Sequence, residues 1–183
     1  MRTLPDSHPL CRMFAGLTEH AFQSSLGVAD PPLIDYISEL LSRFLHVDAV
    51  YRIRNGQGQP LEEVADMLIE AQTLPEGGRT QREVYRHIGD FTLFWTGLFP
   101  EVISKLRSRW CKDHFINYTE SGKRSYYRAS QFVDSTCEAE SVLLARLSRE
   151  FELCAYGLHQ VRKEWEEMAG EVAIPFRGRL LGS

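Results

Sequence analysis

Glu83, His87 and Asp90 form a carboxylate–imidazole–carboxylate series spaced by four and then three residues. On an α-helix that spacing keeps all three within roughly 60° of arc. Groups of these types can converge on a divalent transition-metal ion, and His114 and His159 are imidazoles that would help to complete the shell. The chemistry implied is that of a metal-dependent helical-bundle enzyme. Against it, the chain has no His-x-x-x-His, HExxH or Glu-x-x-His pair to supply a second set of ligands. The series also has an ordinary explanation. Thr80-Gln81-Arg82-Glu83 fits a capping box that would employ Glu83, and Asp90 can pair with Arg86 one turn back.

A second constellation is electrostatic. From Lys105 to Arg128 the cations are Lys105, Arg107, Arg109, Lys112, Lys123, Arg124 and Arg128, opposed by Asp113 and Glu120. Tyr118, Tyr126 and Tyr127 are interleaved with them. Lys105, Arg109 and Lys112 share a face if one helix runs through all three. Cationic groups beside phenol rings attract carboxylates and phosphates and offer stacking surface. This segment is therefore expected to bind an acidic protein partner, with nucleic acid as the alternative.

Other catalytic patterns are missing. The chain has no G-x-S-x-G elbow, no G-x-G-x-x-G after a strand, and no phosphate-loop frame around Gly122-Lys123. Cys11, Cys111, Cys137 and Cys154 form no CxxC pair. With no complete catalytic set, the leading expectation is a cytoplasmic, non-catalytic interaction or regulatory module.

The elements that must hold these residues read as helices. One is expected after Thr18, ending near Gly27. A second begins at Asp30-Pro31-Pro32 and buries Leu33, Ile37, Leu40, Leu41 and Phe44. A third runs from about Pro60 to Thr73, with Leu61, Val64, Leu68 and Ala71 inward. The fourth runs from Thr80 to Phe99, where Pro100 disfavours continuation. Pro100 opens a fifth that turns Ile103, Leu106 and Trp110 inward; Asn117 to Gly122 reads as a polar loop, and Tyr126 to Val133 as a sixth helix. Gly89 and Gly97 lie within the fourth helix among Phe91, Phe94, Trp95 and Phe99, which implies a close crossing by another helix.

The last helix has the clearest period. Leu144, Leu147, Phe151, Cys154, Leu158, Val161, Trp165 and Met168 follow an unbroken a/d heptad pattern, with Ser135 to Glu138 as a capping box upstream. Its seam suits packing inside one bundle, and a homo-dimer through residues 144–168 would use the same positions. A β-like run at Ala49–Ile53 has no evident partner.

The 183 residues are 43% hydrophobic and carry a net charge of −4, values that fit an ordinary globular chain. No apolar run reaches the ~18 residues of a membrane span, and the first residues lack a secretory pattern. The expectation is an all-α, compact single-domain bundle of six or seven helices with a long C-terminal heptad-patterned helix. It comprises a flexible segment at 1–13, the bundle at 14–169 and a loosely held tail at 170–183.

Overall fold

Helical period governs the computed structural model, which describes residues 8–106, 111–132 and 138–169. The fold is all-α, and among the described residues the β pairing is one isolated antiparallel bridge, Arg54 to Pro60. Nine α-helices are present among those residues. Against the expected six or seven, the additional ones are a short helix at Val47–Val50, which takes in the start of the β-like run at Ala49–Ile53, and a division of the heptad helix at Glu150. Contacts sort the chain into two compact units, Met1–Val50 with Tyr156–Ser183, and Tyr51–Ala155.

In the first unit, α1 (Pro9–His20) begins well ahead of Thr18, inside the stretch expected to be flexible. His8 supplies the reason: its Nδ1 accepts from the Leu10 backbone N–H at 3.3 Å, and Pro9 suits a first helical turn. A π-helical segment, Ala21–Ser25, follows it. Gly27 then takes φ 68°, the left-handed conformation that ends helices, and Val28 N–H donates to the Phe22 carbonyl. Next come α2 (Pro31–Phe44), capped by Asp30, and α3 (Val47–Val50). The five α2 residues expected inside are all buried.

The second unit contains α4 (Val64–Thr73), α5 (Arg79–Leu98), α6 (Pro100–Leu106), α7 (Tyr118–Ser130) and α8 (Glu138–Arg149). It also takes in the first turn of α9 (Phe151–Ala169), the helix that crosses the boundary between units. Here α5 is central, packing on α4 and most extensively on α7, which in turn packs on α8.

The crossing of α5 and α7 is built on two glycines. A Cβ at Gly89 would stand 2.6 Å from the Tyr126 ring, and one at Gly122 would stand 2.4 Å from both Phe151 and the Thr92 hydroxyl. The Tyr126 hydroxyl donates to Asp90 Oδ1 at 2.9 Å, so ring and hydroxyl are both satisfied in a fully buried position. Close packing expected at Gly89 is thus present, with a tyrosine as its partner.

Several local expectations shift by a turn. The α5 N-cap is Gly78 and makes no side-chain cap bond, so Thr80 lies inside the first turn and the Thr80–Glu83 capping box does not form. Gln81 takes over that work: its Oε1 accepts from Gly77 N–H at 3.2 Å and its Nε2 donates to the Ala71 carbonyl at 2.9 Å. Met67 replaces Leu68 on the inner face of α4. Asn117 caps α7 by accepting from Glu120 N–H at 3.2 Å, which turns the expected 117–122 loop into a helix start. In α6, Val102 is the buried residue while Ile103 and Leu106 are half-buried. Trp110, Val133 and the Ser135 cap lie outside the described residues, as does the 170–183 tail.

The heptad seam is consumed within one chain. Leu144, Leu147, Phe151, Cys154, Leu158 and Val161 are 0% exposed, whereas Met168 is 69% exposed. The helical spiral persists past Glu150, whose N–H donates to Arg146 and whose carbonyl accepts from Cys154 N–H, both at 2.9 Å. A homo-dimer through 144–168 would have to unbury those six residues.

Gly89→Ala should destabilise the fold by about 1–3 kcal/mol through overpacking. Gly16→Ala on α1, where an added Cβ meets nothing within 4 Å, should stabilise it by about 0.5–1 kcal/mol. Denaturant midpoints of the two variants check both signs.

Candidate functional site

Glu83, His87 and Asp90 share a stretch of α5 but not an environment. Glu83 is half-exposed among three arginines: Arg82 Nη1 at 3.4 Å, Arg52 Nη2 at 3.7 Å and Arg86 Nη1 at 3.8 Å. Glu140 on α8 completes that cluster, taking Arg82 at 2.7 Å on one oxygen and Arg86 at 2.8 Å on the other. Arg82 is 5% exposed, so these carboxylates compensate a charge that would be costly to bury alone. His87 is 1% exposed with Phe91 beside its ring, and Asp90 is 0% exposed and receives the Tyr126 hydroxyl.

The imidazoles expected to complete a metal shell are elsewhere. His114 is exposed and lies edge-on to Phe115, with ring centroids 4.6 Å apart. His159 is exposed on α9, in the other unit. Among the described residues no group of three or more His, Cys, Asp or Glu is arranged to hold a metal ion. Within the second unit, Glu83, His87, Asp90 and His114 are not gathered into such a group. Burial pushes the Cys154 thiol pKa from 9.0 up to about 12 and keeps it protonated, so it serves as a core residue.

The basic segment is likewise redistributed. Lys112 is not on the helix of Lys105, since α6 ends at Leu106 and Lys112 opens a 3-10 turn, Lys112–Phe115. Arg107 and Arg109 lie outside the described residues. Lys112 Nζ binds both oxygens of Asp66 at 2.7 Å, and Lys123 Nζ binds Glu152 at 2.7 Å. Those hydrogen bonds raise both ammonium pKa values and lower that of Glu152. Tyr118 and Tyr126 are 4% and 0% exposed, so neither can stack on a partner. Spacing on α7 carried the warning: Tyr118, Gly122, Ser125, Tyr126 and Ala129 form one face with small residues at its middle, the pattern of a tight helix crossing.

Asp113, counted from the sequence merely as an opposing charge, proves to be a structural centre. Its Oδ2 and Oδ1 accept from the backbone N–H groups of Val64 and Ala65, both at 2.9 Å, and Oδ2 also accepts from the Tyr118 hydroxyl at 2.6 Å. The carboxylate thus caps α4 from 49 residues away, where the helix dipole favours negative charge. Burial, and then Asp113, push the Tyr118 phenol above the usual tyrosine range.

What stays available is the outer ridge of α7. Arg124, Tyr127 and Arg128 are exposed there, spaced three and four residues from Arg124. Tyr127 is 56% exposed. Among the described residues neither Arg124 nor Arg128 meets a carboxylate. Arg128 instead donates from Nη1 to the Tyr85 hydroxyl at 2.5 Å and sits 5.1 Å over the Tyr85 ring. It lines an open groove of about 620 Å³ between the end of α4 with the turn that follows it, α5 and the end of α7.

Asp113→Ala strands two helix N–H groups and a phenol, so it should lower unfolding free energy by about 2–3 kcal/mol. Chemical denaturation of the variant measures that loss, and hydrogen exchange should place its local part at Val64 and Ala65. Comparison of the chain with protein-family models, curated proteins and solved structures gives no match, so its function has to be read from these side chains.

Proposed function

We propose that the chain is a non-catalytic interaction module that binds an acidic protein partner through the outer ridge of α7. One observation carries this reading: Arg124, Tyr127 and Arg128 stand exposed on a single ridge, and neither guanidinium is in an ion pair among the described residues, where Glu120 lies one turn before Arg124. Arginine and tyrosine are the residue types that concentrate binding energy at protein interfaces, because each brings a large planar surface together with hydrogen-bond donors. The surface is narrower than the 105–128 segment suggests, since Tyr118 and Tyr126 are buried and Lys112 and Lys123 are engaged internally.

No helix of the described residues is long and apolar enough to cross a membrane. A cytoplasmic, regulatory setting belongs to the same proposal; its support is that Cys11, Cys111 and Cys154 are free thiols.

The test uses a fluorescent, glutamate-rich peptide and a single-stranded oligonucleotide of matched charge. Binding of the peptide should weaken as salt is added, and Arg124→Glu with Tyr127→Ala should lower its affinity by about tenfold or more. Glutamate replacement of Lys112, which is already held by Asp66, should have a smaller effect. An unchanged affinity in the double variant contradicts the reading, and so does a clear preference for the oligonucleotide.

A further inference from the structure

The groove beside the ridge gives the acidic partner a form. Arg128 is held by Tyr85 through two contacts, a hydrogen bond to its hydroxyl and the packing of the guanidinium over its ring. Tyr85 is itself 3% exposed, so it is a firm support. A guanidinium held this way keeps its remaining donors in a planar fork with little rotamer freedom left to lose, which suits two-point recognition of a carboxylate.

Around Arg128 the lining is rich in amides. Gln72 and Gln131 offer both donors and acceptors, and Leu74 and Phe132 supply apolar wall. Gln131 Nε2 donates to Ser130 Oγ at 3.2 Å, which steadies it at the groove edge. Such amides match the alternating N–H and C=O groups of a peptide main chain. The volume of about 620 Å³ lies within the range of pockets that take short ligands. Glu76 lines the same groove. Its negative charge opposes any occupant dense in negative charge, peptide or phosphodiester, so the groove suits a segment that brings an isolated acidic side chain to Arg128.

From these features we infer that the groove takes an extended peptide segment of the partner, with an internal aspartate or glutamate side chain seated on Arg128 and its main chain against Gln72 and Gln131. This rests on the ridge reading above and adds to it a carboxylate subsite and an extended peptide as the occupant. Tyr85 is a positioning residue here, acting through Arg128.

The experiment uses the full chain and a glutamate-rich peptide, acetylated and amidated at its ends so that no terminal carboxylate competes, beside its glutamine counterpart. Wild type should bind the glutamate peptide about tenfold or more tightly than the glutamine one. Arg128→Gln should erase that preference, and Arg128→Lys should erase most of it by removing the fork while keeping the charge. Tyr85→Phe should reduce affinity several-fold, and Glu76→Gln, at an exposed position, should raise it. That gain is one a merely structural role would not produce.

If Arg128→Gln and Glu76→Gln both bind as wild type while Arg124→Glu with Tyr127→Ala abolishes binding, the groove is overturned and the ridge reading stands on Arg124 and Tyr127 alone. Failure of the wild-type chain to bind either peptide overturns both. Equal affinity for the two peptides overturns the carboxylate subsite. Should Arg128→Gln unfold, Glu76→Gln and Arg128→Lys decide the matter.

Discussion

Tyr126 fills the notch left by Gly89 and ends on the buried carboxylate of Asp90, and the placement of α7 follows from that contact. Where a side chain replaces a missing Cβ at such short range, two helices can cross in one register and no other without overlap. Gly122 repeats the arrangement from the opposite helix, receiving Phe151 and Thr92. With Tyr118, Gly122, Ser125, Tyr126 and Ala129 committed to the interior, helical period leaves Arg124, Tyr127, Arg128 and Gln131 to face outward. The candidate surface is thus a consequence of core packing, set by residues that no ligand touches.

Long-range polar bonds organise the rest of the second unit. Asp113 caps α4, Glu63 accepts from Lys112 N–H at 2.8 Å, and Lys112 reaches Asp66, so the 3-10 turn and the start of α4 cap one another. On the other side, Glu140 clamps Arg82 and Arg86. These contacts explain why a tally of cations along 105–128 overstates the available charge: much of it is neutralised by carboxylates distant in sequence. Arg124 and Arg128 differ from their neighbours in making no ion pair among the described residues, with Glu120, one turn before Arg124 on α7, as the nearest acidic residue along the ridge.

Legibility in the sequence tracked the range of the interaction. Period-based features were readable, including the inner face of α2, the Leu144–Val161 seam and the tight packing at Gly89, because apolar spacing and a missing side chain are local signals. Caps within a few residues were readable where one competitor existed, as at Asp30. At α5 two starts competed, and the Gly77–Gly78 turn with Gln81 prevailed over Thr80 and Glu83. The Asp113 cap was not readable, since nothing near Val64 announces a carboxylate from so far along the chain. Tyr126 and Tyr127 show the finest limit. They are adjacent and alike in type, and only the phase of α7 against α5 sends one inward and the other out. The Glu83–His87–Asp90 series shows a related limit: sharing a helix arc does not give Glu83 and Asp90 a common environment when one faces arginines and the other a tyrosine in the core.

That phase is open to direct measurement. Tetranitromethane nitrates accessible tyrosines, and peptide mass spectrometry reads each position separately. With the folded chain, Tyr127 should be modified readily while Tyr126 and Tyr118 stay protected until denaturant is added. Comparable nitration of Tyr126 and Tyr127 in the native protein would contradict the packing of α7 on α5, and with it the ridge and the groove.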